Sequence, residues 1–149
     1  MMIAREDLVG HPGIEAIRLG FDRPGQSMTI RRYQDMMVWQ RAVDLAVKCY
    51  DCTDSFPSHE RFGLTAQLRR AAVSIPSNIA EGQGRNSLRE SVYHLSVARG
   101  SLQELETLFV ISERLNYASA EQLNSLRELC GHVGRMLTGL KAALKRTSN

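Results

Sequence analysis

Between Leu123 and Leu144 the residues Leu123, Leu126, Cys130, Val133, Leu137, Leu140 and Leu144 recur in alternating steps of three and four. Such a heptad stripe runs along one side of a helix and must be buried against other helices. A half-buried strand would show a period of two instead. No apolar run in the chain approaches the roughly 18 residues of a membrane span.

Three earlier segments carry the same signature. From about Asp35 to Cys52 there are two adjacent apolar stripes. One is Met36, Trp39, Val43, Ala46 and Tyr50; the other is Val38, Ala42, Leu45, Cys49 and Cys52. An apolar arc that wide implies burial on more than one side. Phe56-Pro57-Ser58 ends this helix, and Ser58 is a candidate N-cap for the next. The second helix is expected over Ser58 to Glu81, with Leu64, Leu68, Ala72, Ile75 and Ile79 as its core stripe and Gly82-Gln83-Gly84 closing it. Pro76 lies inside it, so the pattern reads either as one helix kinked at Pro76 or as two short helices. The third opens on Ser87-Leu88-Arg89-Glu90, a capping box, and runs to Leu115 with Asn116 as its stop. Its stripe runs from Leu88 through Val92, Leu95, Ala98, Leu102 and Leu105 to Phe109, with Gly100 and Ser101 small enough for a close helix approach. Ser119 and Gln122 fit a second capping box for the fourth helix. Four amphipathic helices on short loops imply an all-α, antiparallel, up-down-up-down four-helix bundle over residues 33–149.

Residues 1–32 read differently. His11-Pro12-Gly13, Gly20 and Asp22-Arg23-Pro24-Gly25 break any sustained period, so a mobile N-terminal extension is expected. Met28 is a candidate native start, which peptide mass spectrometry of the native protein would test. Met1 to Gly10 lack the basic-then-apolar layout of a secretory signal. Three cysteines do not make a disulfide framework, and a reducing cytoplasm is the default for such a chain.

Little in the sequence supports catalysis. Cys49 and Cys52 form a C-x-x-C pair at the C-terminal end of a helix, where the dipole opposes a thiolate. Cys130 and His132 do not complete the doubled spacing of a zinc site, so the cysteines are read as core residues and no metal or cofactor is expected. His59, Ser74 and Glu81 have no strained nucleophile turn to order them. The Glu-x-x-His pairs of a di-iron bundle are absent. The expectation is a protein that is not an enzyme.

Charge points elsewhere. The chain carries a net +3, with the excess in residues 56–85, around Arg69, Arg70 and Arg85, and in residues 116–149, with Lys141, Lys145 and Arg146. Those six are the candidate nucleic-acid-binding residues, expected to contact phosphate without reading sequence. Gln67, Arg70, Ser74, Asn78 and Glu81 line a polar face of the second helix. Three readings of it stand: a solvated surface, a subunit interface through Arg70, Ser74, Asn78 and Glu81, or a phosphate-binding face with Arg69, Arg70 and Arg85 as donors.

The run Arg69-Arg70-Ala71-Ala72-Val73-Ser74-Ile75-Pro76-Ser77-Asn78-Ile79-Ala80-Glu81-Gly82 resembles the signature of the bacterial four-helix bundle proteins encoded by intervening sequences in large-subunit ribosomal RNA genes. Val38-Trp39-Gln40-Arg41-Ala42, Phe56-Pro57 with Glu60, Gly63-Leu64-Thr65 with Gln67, and Ala98 to Glu106 agree with it. The likeness spans Tyr33 to Leu144. Gln83 departs from it, standing where members often carry an aromatic residue. The resemblance implies a homopentamer, and kinship with the accessory variability determinant of diversity-generating retroelements, a basic pentamer that binds nucleic acid and a reverse transcriptase. Five copies of a +3 chain carry +15, and weak basic patches then act together. The expected partners are therefore a second copy of the chain and RNA or DNA. The alternative is a scaffold that binds another protein and no nucleic acid. No membrane partner is expected.

Overall fold

The computed structural model describes residues 32–146. The extension expected over 1–32, with Met28, lies outside the described residues except for Arg32, which is exposed. Four long helices follow: α1 (Met37–Thr53), α2 (Leu64–Gly84), α3 (Leu88–Arg114) and α4 (Ala120–Arg146). Among the described residues there is no strand. Consecutive helices pack on one another and α4 returns to α1, an arrangement that fits a four-helix bundle. No helix among the described residues is long and apolar enough to cross a membrane.

The helix ends follow from local chemistry. The Ser119 N–H donates to Gln122 Oε1 at 2.8 Å and the Gln122 N–H donates to Ser119 Oγ at 3.1 Å, a reciprocal capping box that starts α4. Ser87 Oγ accepts from the Glu90 N–H at 3.2 Å and starts α3. At the far end of α3, Asn116 takes φ 59°, the left-handed conformation. The Tyr117 N–H then reaches the Ser112 carbonyl and the Asn116 N–H reaches that of Glu113, closing a Schellman motif.

The start of α2 differs from the expectation. Ser58 to Glu60 form a 3-10 turn, and the α-helix begins at Leu64 rather than at Ser58. The capping group is Glu60, whose Oε2 accepts from the Leu64 N–H at 2.8 Å. Its Oε1 accepts from the Tyr117 hydroxyl at 3.1 Å, which ties the α1–α2 connection to the α3–α4 connection. These two bonds to the charged form hold the Glu60 carboxyl below its usual range.

Across Pro76 the helix is continuous, which excludes the two-helix reading. The ring removes the donor to the Ala72 carbonyl. Ile75, Pro76 and Ile79 are all buried in phase, so packing holds the helix together where local propensity would break it.

The core is the one the α4 stripe demands: all seven of its residues are buried. In α1 both stripes contribute to the core. Val38, Ala42, Leu45 and Cys49 are buried from one and Met36 and Ala46 from the other, whereas Tyr50 is exposed and Trp39, Val43 and Cys52 are half-buried. Cys49 and Cys130 lie in the core, where burial pushes both thiols up, Cys130 to about 12. Such thiols stay protonated at neutral pH and act as small apolar residues. Cys52 is half-buried and is pushed up for the same reason.

Candidate functional site

The polar face of α2 turns largely toward α3 of the same chain. Ser74 Oγ lies 2.8 Å from Ser101 Oγ. Asn78 Nδ2 donates to the Ser74 carbonyl at 2.8 Å, and Asn78 Oδ1 lies 3.2 Å from His94 Nδ1. His94 Nε2 is 3.8 Å from Glu81 Oε1, and Glu81 also pairs with Arg85. Three of the four candidate interface residues, Ser74, Asn78 and Glu81, thus find partners within the chain. The approach is allowed by Gly82, which is buried against the His94 side chain and the Ser91 backbone. Gly100, expected at a close approach, is exposed, with open space where a side chain would stand. Gly134 is the other close point, facing the Arg99 guanidinium and Leu102.

The fourth candidate, Arg70, lies away from that seam. It lines a groove of about 640 Å³ with Tyr50, Arg61, Phe62, Arg69 and Val73. Arg69 is already engaged there. Its Nε donates to Thr53 Oγ1 at 2.8 Å, a second nitrogen donates to Asp54 Oδ1 at 3.0 Å, and the guanidinium lies 4.5 Å from the centre of the Tyr50 ring. Thr53 holds its own hydroxyl on the Cys49 carbonyl, so Arg69 is anchored to the end of α1.

A second groove runs between α3 and α4. Two hollows of about 390 Å³ and 300 Å³ share Arg99 and Thr138 in their walls. Lys141 and Lys145 line the larger one; Arg135, Gly131 and Glu106 line the smaller. Four cationic side chains thus border one continuous surface whose only acidic wall residue is Glu106. Arg146 is exposed at the end of α4.

The six candidate nucleic-acid-binding residues therefore do not form one site. Lys141 and Lys145 share the α3–α4 groove. Arg69 and Arg70 share the groove beside α1, with Arg69 tied into the fold. Arg85 pairs with Glu81 at the end of α2. Arg99 and Arg135 were not among the candidates. A signal for Arg135 does exist, since Arg135, Thr138, Ala142 and Lys145 follow helical steps of three, four and three. Arg99, from another helix, carries no such mark.

Nor are His59, Ser74 and Glu81 brought together. His59 lies beside Tyr117, its Nε2 3.3 Å from the hydroxyl, while the other two belong to the α2–α3 seam. Among the described residues no group of three or more His, Cys, Asp or Glu is placed to hold a metal ion.

The model of the 23S rRNA-intervening sequence protein matches residues 34–139, most of the chain. The chain belongs to that family. A solved structure from Bacteroides thetaiotaomicron, of a protein with unknown function from the S23 ribosomal protein family, superposes with a TM-score of 0.64. It is 21% identical, covers 70% of this chain and is itself covered over 98% of its length, so it speaks for the fold. No curated protein matches the chain.

Proposed function

We propose that this member of the family is a non-enzymatic, antiparallel up-down-up-down bundle that assembles as a homopentamer and binds nucleic acid, RNA foremost, through the α3–α4 groove. The observation that carries the reading is the convergence of Arg99, Arg135, Lys141 and Lys145 on one surface from two helices. Cations so placed suit a row of phosphates. The 23S rRNA in the family's description makes RNA the first ligand to test. An antiparallel course is supported by the pairs Ser74–Ser101 and Asn78–His94, in which numbers rise along α2 as they fall along α3. Arg127 with Glu113 and Gly134 with Leu102 support the same course for α4 against α3. A cytoplasmic setting agrees with two core cysteines held as thiols.

The test is a salt titration of RNA and DNA binding on protein whose mass is recorded by light scattering. A steep fall of affinity with salt, on a pentamer, is expected. Absence of binding at low salt would overturn the reading. It would favour a protein-binding scaffold, for which exposed Ile111 and Leu115, four residues apart at the end of α3, offer an apolar contact. A protein captured equally well after nuclease treatment would identify that case.

A further inference from the structure

The groove beside α1 differs in kind from the α3–α4 groove. Its walls combine aromatic rings with guanidinium groups and contain no carboxylate. Phe62 is 87% exposed, the most exposed large apolar side chain among the described residues. It sits in the connection between the 3-10 turn and α2, and its position is set by the Glu60 cap that starts the helix one residue later than Gly63. The Arg61 guanidinium lies 5.3 Å from the centre of the Phe62 ring. The Tyr50 ring, itself exposed, also lines the groove and is backed by Arg69. Arg69 is fixed by Thr53 and Asp54, so this part of the lining is rigid. Arg70 and Val73, three residues apart on α2, line it as well, and both are exposed.

A volume of about 640 Å³ falls within the roughly 300–1,000 Å³ of small-ligand sites. Two aromatic rings with Arg61 and Arg70 beside them, Arg69 being held by Asp54, match the chemistry of an unpaired nucleotide: a flat apolar base with a phosphate beside it. Duplex bases are stacked on each other and cannot present a free face to Phe62. An acidic peptide would satisfy the arginines but leave the exposed rings without a flat partner.

We propose that the groove formed by Tyr50, Arg61, Phe62, Arg70 and Val73 is a stacking subsite for single-stranded nucleic acid. It rests on the nucleic-acid reading above and narrows it: the α3–α4 groove neutralises phosphate on any strand, and the Phe62 groove holds a base of an unpaired one. The chemistry is the same for RNA and DNA, and sequence preference there is weak.

The experiment compares Phe62→Ala, Phe62→Trp, Arg70→Ala and the Lys141→Ala/Lys145→Ala double variant. Each is titrated with an oligouridylate and a deoxyoligothymidylate of about 16 nucleotides, and with an RNA duplex of equal length. Light scattering accompanies every titration. Phe62→Ala should weaken single-strand binding by about five- to a hundredfold and leave duplex binding unchanged, and Phe62→Trp should restore it. Arg70→Ala should flatten the salt dependence by about one unit of slope. Phe62 is largely solvated, so the alanine variant keeps the fold.

Wild-type single-strand affinity in Phe62→Ala overturns the proposal. So does a fall in assembly mass, which would make the groove a contact between copies. So does displacement of the oligouridylate by oligoglutamate with no difference between Phe62→Ala and wild type. If Lys141→Ala/Lys145→Ala weakens binding while Phe62→Ala does not, the broader nucleic-acid reading stands and the stacking subsite falls. If no oligonucleotide binds at low salt, both fall together.

Discussion

Gly82 and His94 touch across the α2–α3 seam so closely that a methyl group on Gly82 would stand 3.2 Å from His94 Cβ and 3.2 Å from the Ser91 carbonyl oxygen. The contact sets the distance at which Asn78 reaches His94 and Ser74 reaches Ser101. Backbone atoms on α3 cannot swing aside as a long side chain would. Gly82→Ala gains about 1 kcal/mol of helix propensity but meets an overpacking cost of about 1–3 kcal/mol. The net expectation is a loss of about 1 kcal/mol in a urea melt. Gly100→Ala is the control. It lies inside α3 with open space around it, and the same substitution should stabilise by about 1 kcal/mol.

The seam also shows what a single sequence leaves open. Heptad steps in α4 and the stripe of α3 mark their buried faces, because in each helix the longest apolar repeat is the one that packs, although α3 also carries Tyr93, Val110 and Ile111 on its exposed side. In α1 two stripes of similar hydrophobicity lie side by side, and periodicity cannot choose between them. Burial took most of one and, from the other, Met36 and Ala46, and left Tyr50 outside. The polar face of α2 is too polar for a core by composition alone. Ser101 and His94 satisfy it from α3, a pairing that no local pattern in either helix contains. The helix starts at Ser87 and Ser119 are local and were legible, although at Ser87 the Glu90 carboxylate accepts from the Ser87 hydroxyl and the reciprocal backbone bond of the box is not made; the cap from Glu60 depends on a turn whose geometry is not.

Asn116 provides a second test of local chemistry. Its φ of 59° costs an ordinary L-residue about 1–2 kcal/mol, and glycine nothing. Asn116→Val should lower stability by about that amount, and Asn116→Gly should leave it unchanged or slightly raised. Thermal melts of the two variants, compared with the parent, check both signs.

Acid sensitivity should reside in part at Glu60. The Leu64 N–H, then the Tyr117 hydroxyl, favour its charged form, so its folded pKa lies below its unfolded one. The stability this contributes is fully present above the unfolded pKa. It is lost as pH falls through the folded pKa. Glu60→Gln keeps an acceptor for Leu64 but has no proton to bind. The variant should therefore be less stable than the parent at neutral pH, and the gap should close as pH falls through the carboxylate range. A constant gap in denaturant melts across that range would contradict the assignment.

Thiol chemistry should separate the three cysteines. Cys49 and Cys130 are buried and protonated, whereas Cys52 is half-buried. With a thiol alkylating reagent near neutral pH, Cys52 should label first. Cys49 and Cys130 should label only on unfolding, together and at the same denaturant concentration as the loss of helix signal. Mass spectrometry of the labelled peptides reads the order.

The α3–α4 groove yields a quantitative expectation that the charge distribution along the chain does not. Arg99 lies outside the segments with excess positive charge, yet it borders both hollows of the groove. Each lost phosphate contact reduces the slope of log affinity against log salt by about one. Arg99→Ala and Arg135→Ala should therefore each flatten that slope as much as Lys141→Ala does. Glu106→Gln should raise affinity at low salt, because it removes the carboxylate from the groove wall. Arg85→Ala should change the slope little, since the Arg85 guanidinium is already held by Glu81. If Arg85→Ala flattened the slope and Arg99→Ala did not, the binding surface would lie at the end of α2 and not between α3 and α4.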